Sequence, residues 1–351
     1  MSRSVKKPLF SAIVLIALVA LVMAAIGYYY VMRPAVRLNK TATVRLYPEE
    51  TPDVVTQKIF QTTECDMRGF RWLTAINAYR AGKSKDNYLP FRPGNYELRD
   101  GDSMREIWNR LASGAQTPVK VVVGAPRTLD RLAASLGSGL MADSTAFAAV
   151  MANDTLVKTL GFDLQTLPAL FIPNTYEMWW TITPEEFMQR MKKEYDRFWT
   201  ADRQQKAKRV GLTSIEVATL ASIVDEETNQ ATEKPIVAGL YLNRLSRGIP
   251  LQADPTVKFA VGDPSLRRIL YTHLEVESPY NTYRHAGLPP GPIRVASMQG
   301  LDAVLNASHH DYLYMCAKED FSGCHNFAST LAEHNANARR YQNALNQRGI
   351  K

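Results

Sequence analysis

Apolar residues dominate the start of the chain and then give way to segments of mixed, periodic character. Residues 9–32 form an apolar run interrupted only by Ser11. At about 1.5 Å per residue, a helix of that length crosses the roughly 30 Å hydrocarbon layer of a bilayer. A cleaved signal peptide fits less well, because its apolar region normally covers only about 7–15 residues. Tyr28, Tyr29, Tyr30 and Arg33 close the run as an interfacial belt suited to a retained anchor. Arg3, Lys6 and Lys7 precede it, so positive charge flanks both ends and gives the anchor little direction.

Beyond the anchor, roughly 310 residues remain, enough for two domains with cores of their own. VRLYPEETPDVVTQKI from Val44, YELRDGDSMREIWNRL from Tyr96 and VKVVVGAPRTLDRLAASL from Val119 each read as a short alternating strand, a turn and a capped helix. Thr51 before Pro52, and Ser103 with Glu106 three residues on, are the start signals. Residues 140–212 are expected to be mainly helical, with FIPNTYEMWW interrupting them. The class predicted is α+β.

The segment LASIVDEETN, residues 220–229, ends an apolar helix with Asp225, Glu226 and Glu227 in succession. On a 3.6-residue period Leu220, Ile223 and Glu227 share one side, so one carboxylate, Glu227, faces inward. Asp225 points elsewhere, and Glu226 follows the polar line through Thr219 and Ser222. A carboxyl against an apolar wall has its charged form disfavoured and keeps a proton near neutrality, which is what a general acid needs. The same pattern also fits an amphipathic helix ending in a solvated acidic turn.

A second helix follows from about Thr232 to the stop at Gly248. In PLQADPTVKF, residues 250–259, the alternation around a proline aims Gln252, Asp254 and Thr256 the same way. SPYNTY, with Asn281 and Tyr283, and GLPPGPI are too rich in turn formers for regular structure, and long ordered loops of this kind usually carry function. A hairpin of residues 312–317 against 325–327 and a helix from about Ser329 bring His325, His334 and Asn335 into view. Either ligand contacts or ordinary packing would account for these three.

Composition narrows the choice. The net charge of +8, and Lys206, Lys208 and Arg209 in a run, suit an anionic wall or lipid surface, or simply a solvated helix face. No nucleic-acid motif accompanies the charge. Three cysteines are an odd count, although Cys316 and Cys324 could pair across the hairpin. No spacing of cysteines and histidines suggests a metal site, and no cofactor is expected.

The ordered set LASIVDEET, VAGLYLNRL, LQADPTV, SPYNTY, GLPPGPI, HNF and AEHN resembles the YceG-like family of endolytic murein transglycosylases, over roughly residues 40–345. The resemblance implies a single N-terminal transmembrane helix (residues 9–32) after a cytoplasmic tail (1–8). It further implies a small LysM-like α/β subdomain (41–118) and a mixed α+β catalytic domain (119–345). The implied reaction cleaves the β-1,4 bond between N-acetylmuramic acid and N-acetylglucosamine within glycan strands, leaving a 1,6-anhydro end. The family's catalytic acid is the second glutamate of an E-x-E pattern, which here reads Asp225-Glu226-Glu227 and lands on Glu227. Asp225 departs from the more usual glutamate. Gln252, Asp254, Asn281, Tyr283, His325, Asn335 and Tyr176 are the candidate sugar contacts. Phe171, Trp179 and Trp180 fit the core better than a sugar face. The family also implies peptidoglycan and the inner membrane as partners, with membrane-bound peptidoglycan synthases as further ones and the catalytic domain on the periplasmic side. A non-catalytic, membrane-tethered glycan-binding protein is the alternative, and it would have no need of a buried acid.

Overall fold

The computed structural model describes residues 6–84, 88–263, 266 and 268–349; Arg3 and most of the expected tail, residues 1–8, lie outside them. The chain is α+β, with helices in the majority and its strands in short pairs. It divides into two compact units, Met1–Lys120 with Glu177–Ile182, and Val121–Tyr176 with Thr183–Lys351.

The first unit contains α1 (Lys6–Val31), β1 (Ala42–Leu46), α2 (Pro52–Thr63), α3 (Arg68–Arg80), β2 (Gly94–Leu98) and α4 (Met104–Ser113). Helix α1 carries the apolar run, and its stretch Phe10–Val31 is long and apolar enough to cross a membrane. Strands β1 and β2 pair antiparallel with Val44 opposite Tyr96. Val44 and Leu46 turn inward while Thr43 and Arg45 turn outward, as the two-residue period requires. The inward residues meet Val55, Ile59, Phe70, Ile107 and Leu111 in one core. Ser103 and Glu106 form the expected capping box on α4. Thr51 stands at the start of α2 without a side-chain cap bond; Pro52, with its φ preset, opens that helix. Helix α3 breaks the expected strand, turn and helix repetition, because a second helix enters before the return strand. Its exposed Trp72, Ile76 and Tyr79 blur the periodicity that marks a helix in sequence. The segment after α1 is not a free tether: the backbone N–H groups of Ala35 and Val36 both donate to the Asp102 carbonyl at 3.0 Å, and Gly101 donates back to Val36. Glu177–Ile182 belongs with this unit, with Trp180 fully buried edge-on to Tyr47 and Thr181 accepting from Gln116 at 3.0 Å.

The second unit runs through β3 (Val119–Val123), α5 (Leu129–Gly139), α6 (Ser144–Met151), α7 (Asp154–Thr159), β4 (Asn174–Met178), α8 (Pro184–Phe198) and α9 (Ala201–Arg209). It continues through α10 (Ser214–Glu227), α11 (Lys234–Ser246), α12 (Asp254–Val261), α13 (Tyr271–Leu274), α14 (Met298–Leu305), β5 (Tyr314–Ala317), β6 (His325–Ala328) and α15 (Leu331–Gln347). Strand β3 pairs with β4 and β5 with β6, so FIPNTYEMWW interrupts the helices by supplying a strand. Cys65, Cys316 and Cys324 are free thiols, and the hairpin register sets Cys316 opposite Asn326. Cys316 and Cys324, whose pairing the sequence left open, are not bonded to each other.

Helix α10 is the axis of this unit. Every residue from Val217 to Asp225 is buried, so the helix is enclosed by α11, α14 and their loops and not lined on one side alone. A helix of this kind can end only where its last polar groups find partners. Asp225 finds Lys234, and both side chains are buried. Removing one member of such a pair leaves an uncompensated charge. Lys234→Met should therefore lower stability by on the order of 3 kcal/mol, read as a fall in the urea midpoint; an unchanged midpoint would contradict the structural role of the pair.

Candidate active site

Three consecutive carboxylates close α10, and their surroundings put them in three different states. Asp225 pairs with Lys234 and also accepts from Ser297, at 2.6 Å from the backbone N–H and 2.7 Å from the hydroxyl. Ser297 is itself the N-cap of α14, so Asp225 joins the ends of three helices. The reading in which a single carboxylate faces inward and Asp225 points elsewhere is corrected here: Asp225 is buried against Lys234, and Glu227 is half-buried at the pocket. Glu226 binds Arg127 at 2.7 Å and Arg294, whose guanidinium also donates to the Ala125 carbonyl. It does not follow a polar line through Thr219 and Ser222, since both are buried and Ser222 is spent on the Thr219 carbonyl and the Ile293 N–H.

Glu227 is left without a cation. Among the described residues its one direct hydrogen-bond partner is the Tyr241 hydroxyl, which donates to Oε1 at 2.6 Å. Burial pushes the Glu227 carboxyl up to about 7; the Tyr241 bond opposes this, the nearby Asp254 adds to it, and His325 weakly opposes it. Tyr241 is itself enclosed, and burial together with Glu227 raises its pKa well above the ordinary value, so it acts as a fixed donor. With Oε1 occupied as acceptor, the transferable proton belongs on Oε2.

The pocket around Glu227 measures about 310 Å³ and is lined by Tyr241, Arg244, Gln252, Asp254, Tyr283, Tyr314 and His334, among others. Its size is at the small end for a ligand site. Gln252 has a left-handed backbone (φ 53°), an unfavourable state for a residue with a Cβ. Arg244 holds it there, donating to the Gln252 side chain at 2.8 Å and to the Leu251 carbonyl at 2.9 Å. Asp254 opens α12 and accepts the Tyr283 hydroxyl at 2.7 Å. Burial and that bond together raise the Tyr283 pKa. Thr256, expected to point with Gln252 and Asp254, is fully buried against Thr282. The cause is the helix that starts at Asp254-Pro255: a 3.6-residue period replaces the two-residue alternation and turns Thr256 inward.

The remaining candidates do not line this pocket. Asn281 is fully buried and donates to the carbonyls of Leu274 and Val276 at 2.8 and 2.9 Å, while its own oxygen accepts from the Tyr283 N–H. It shapes the loop that carries Tyr283. His325 gives its backbone N–H and Nδ1 to Glu233, at 2.7 and 2.9 Å. Burial of Glu233 works the other way, yet these bonds keep its carboxyl below the ordinary range. Asn335 is exposed on α15, beside the pocket-lining His334. Tyr176 is buried, with its hydroxyl on the Ile172 carbonyl at 2.6 Å. Tyr241 and Arg244 are the residues sequence reasoning passed over; the signal was their i, i+3 spacing within YLNR. No group of three or more His, Cys, Asp or Glu side chains able to hold a metal ion occurs among the described residues.

A carboxyl whose folded pKa is raised works against the fold once it ionises. The effect is absent below the unfolded value of 4.5 and grows as pH rises to about 7. Glu227→Gln should therefore match the parent at about pH 4 and exceed it in stability by on the order of 3 kcal/mol at about pH 8. Urea unfolding at both values checks this, and a pH-independent difference would contradict the raised pKa.

The comparisons with known proteins follow this geometry. A model of the YceG-like family matches residues 44–340. A Bacillus subtilis protein named endolytic murein transglycosylase is 30% identical over 275 residues, 74% of this chain and 75% of its own length. A Streptococcus pneumoniae protein of the same name is 27% identical over 296 residues, 74% of this chain and 52% of that protein. A solved YceG-like protein of Listeria monocytogenes shares the fold with a TM-score of 0.55, at 24% identity, covering 85% of this chain and 99% of the other. With the family pattern running through both units and through every segment that builds the Glu227 pocket, this chain belongs to the YceG-like family.

Proposed function

We propose that the chain is a membrane-anchored endolytic transglycosylase of peptidoglycan, acting on the β-1,4 bond between N-acetylmuramic acid and N-acetylglucosamine. The observation that carries this reading is a carboxyl bonded to a single neutral donor, Tyr241, in a pocket of sugar-compatible groups, where burial pushes it up to about 7. Glycosidases of the usual kind need an acid and a second carboxylate acting on water or on the sugar. Here Glu227 donates its proton to the glycosidic oxygen as that bond breaks. The resulting carboxylate then takes the proton from the C6 hydroxyl of the muramic acid residue, whose oxygen closes onto the anomeric carbon. Water is not consumed, and the acid is regenerated as the 1,6-anhydro ring forms.

In this reading Asp254 or the substrate's acetamido group offsets positive charge at the anomeric carbon, and Gln252 and Tyr283 orient hydroxyls and acetamides. Asn281 and His325 serve by fixing the loop and the hairpin. The β–α–α–β order of the first unit supports the LysM-like reading of residues 41–118, and α1 supports a single-pass anchor; the murein side for the second unit follows from the proposed substrate. A purely binding tether has no use for a carboxyl pushed up to about 7 at Glu227.

Glu227→Gln should fold normally and lose about 10³-fold in release of soluble fragments from purified murein. Glu226→Gln should lose far less, because it breaks an anchor to Arg127 and Arg294 and leaves the acid in place. Mass spectrometry of the products separates the chemistries. Anhydro ends, one water lighter, support intramolecular capture by the C6 hydroxyl. Reducing ends would make Asp254 the base of a hydrolytic pair.

A further inference from the structure

Helix α3 presents an outward face that the catalytic reading does not use. Trp72, Ile76 and Tyr79 are 40%, 45% and 86% exposed and lie at i, i+4 and i+7 on one side of the helix. Arg71, Arg80 and Lys83 flank them, also exposed. An apolar stripe with aromatic residues and a basic border is the composition of a helix that lies in a membrane interface.

The position of α3 selects the partner. Gly69 is set against the end of α1, where a Cβ would stand 2.0 Å from the Tyr30 carbonyl oxygen. The Arg68 guanidinium sits over the Tyr30 ring at 4.2 Å. One turn further along α3, the Trp72 ring reaches Gly27, lying 3.2 Å from where a Cβ would be. Gly27 is four residues inside the apolar span Phe10–Val31, about 6 Å from its end. Gly69 and Trp72 therefore set the start of α3 at the level of the interfacial tyrosines and the last turn of the span. Ile76 and Tyr79 continue the same face.

We propose that the α3 face seats on the outer-leaflet headgroup and acyl boundary of the bilayer that α1 crosses, with Arg71, Arg80 and Lys83 facing anionic lipid phosphates. The proposal rests on reading α1 as a membrane span. The bonds from Ala35 and Val36 to Asp102 already fasten the first unit to the end of that helix, so seating α3 fixes its orientation to the membrane as well as its distance. A polysaccharide groove would not be built with its tryptophan against the hydrocarbon end of an anchor.

The test uses the full chain in vesicles of phosphatidylcholine and phosphatidylglycerol with brominated acyl chains, which quench nearby indoles. Flotation of the vesicles comes first, and protein left at the bottom overturns both the span and the proposal. For protein that floats, most of the quenching of tryptophan emission should be lost in Trp72→Phe, since the proposal puts Trp72 at lipid depth. The double variant Arg71→Glu, Arg80→Glu should float equally well and lose quenching in the same direction. Equal quenching of the parent and Trp72→Phe in floating protein overturns the proposal and leaves the anchor standing. A Trp72 signal that answers to N-acetylglucosamine oligomers and not to brominated lipid overturns it in favour of a glycan face.

Discussion

A carboxylate in a protein interior must be either paired or protonated, and the end of α10 meets this constraint in both ways within three residues. Asp225 is enclosed and paired with Lys234 and Ser297. Glu226 is spent on two arginines. Glu227 receives a single neutral donor, Tyr241, and desolvation then decides its state. An added cation beside Glu227 would pull its pKa back toward the ordinary carboxylate range and remove the proton at neutral pH. The salt bridges of its neighbours thus do two jobs. They hold α10 against α11, α14 and the 125–127 segment, and they keep the nearby positive charge engaged elsewhere.

The walls of the pocket follow from the same arrangement. Arg244 is one turn beyond Tyr241 on α11, so the helix that supplies the Glu227 donor also supplies the clamp for Gln252. Tyr283 reaches Asp254 because Asn281 consumes its own side chain in folding the loop behind it. The Glu227 carboxyl, its donor and the two polar groups opposite are fixed by side chains that are themselves held in place.

Much of this was legible in the chain where the signal was local. The apolar run, the Ser103 and Glu106 capping box, the start of α11 and the hairpin before α15 are all set by neighbours in sequence. Glu227 was legible too, through helical period and family pattern together, although the enclosed α10 shows that period alone is a weaker guide on a helix buried on every side. What stayed hidden depends on contacts far along the chain. The burial of Asp225 needs Ser297, 72 residues away. Thr256 could be read only once Asp254-Pro255 was known to start a helix. Tyr241 and Arg244 look like ordinary members of an amphipathic helix until α11 is laid beside α10.

The central claim is that burial beside one neutral donor lifts the Glu227 carboxyl to about 7, so that a proton stays available near neutrality. Carbon-13 titration of the glutamate side-chain carboxyls in the full chain, with the Glu227 signal assigned by its loss in Glu227→Gln, measures this directly. The account predicts an inflection near 7. An inflection at the ordinary glutamate value of 4.5 would contradict it.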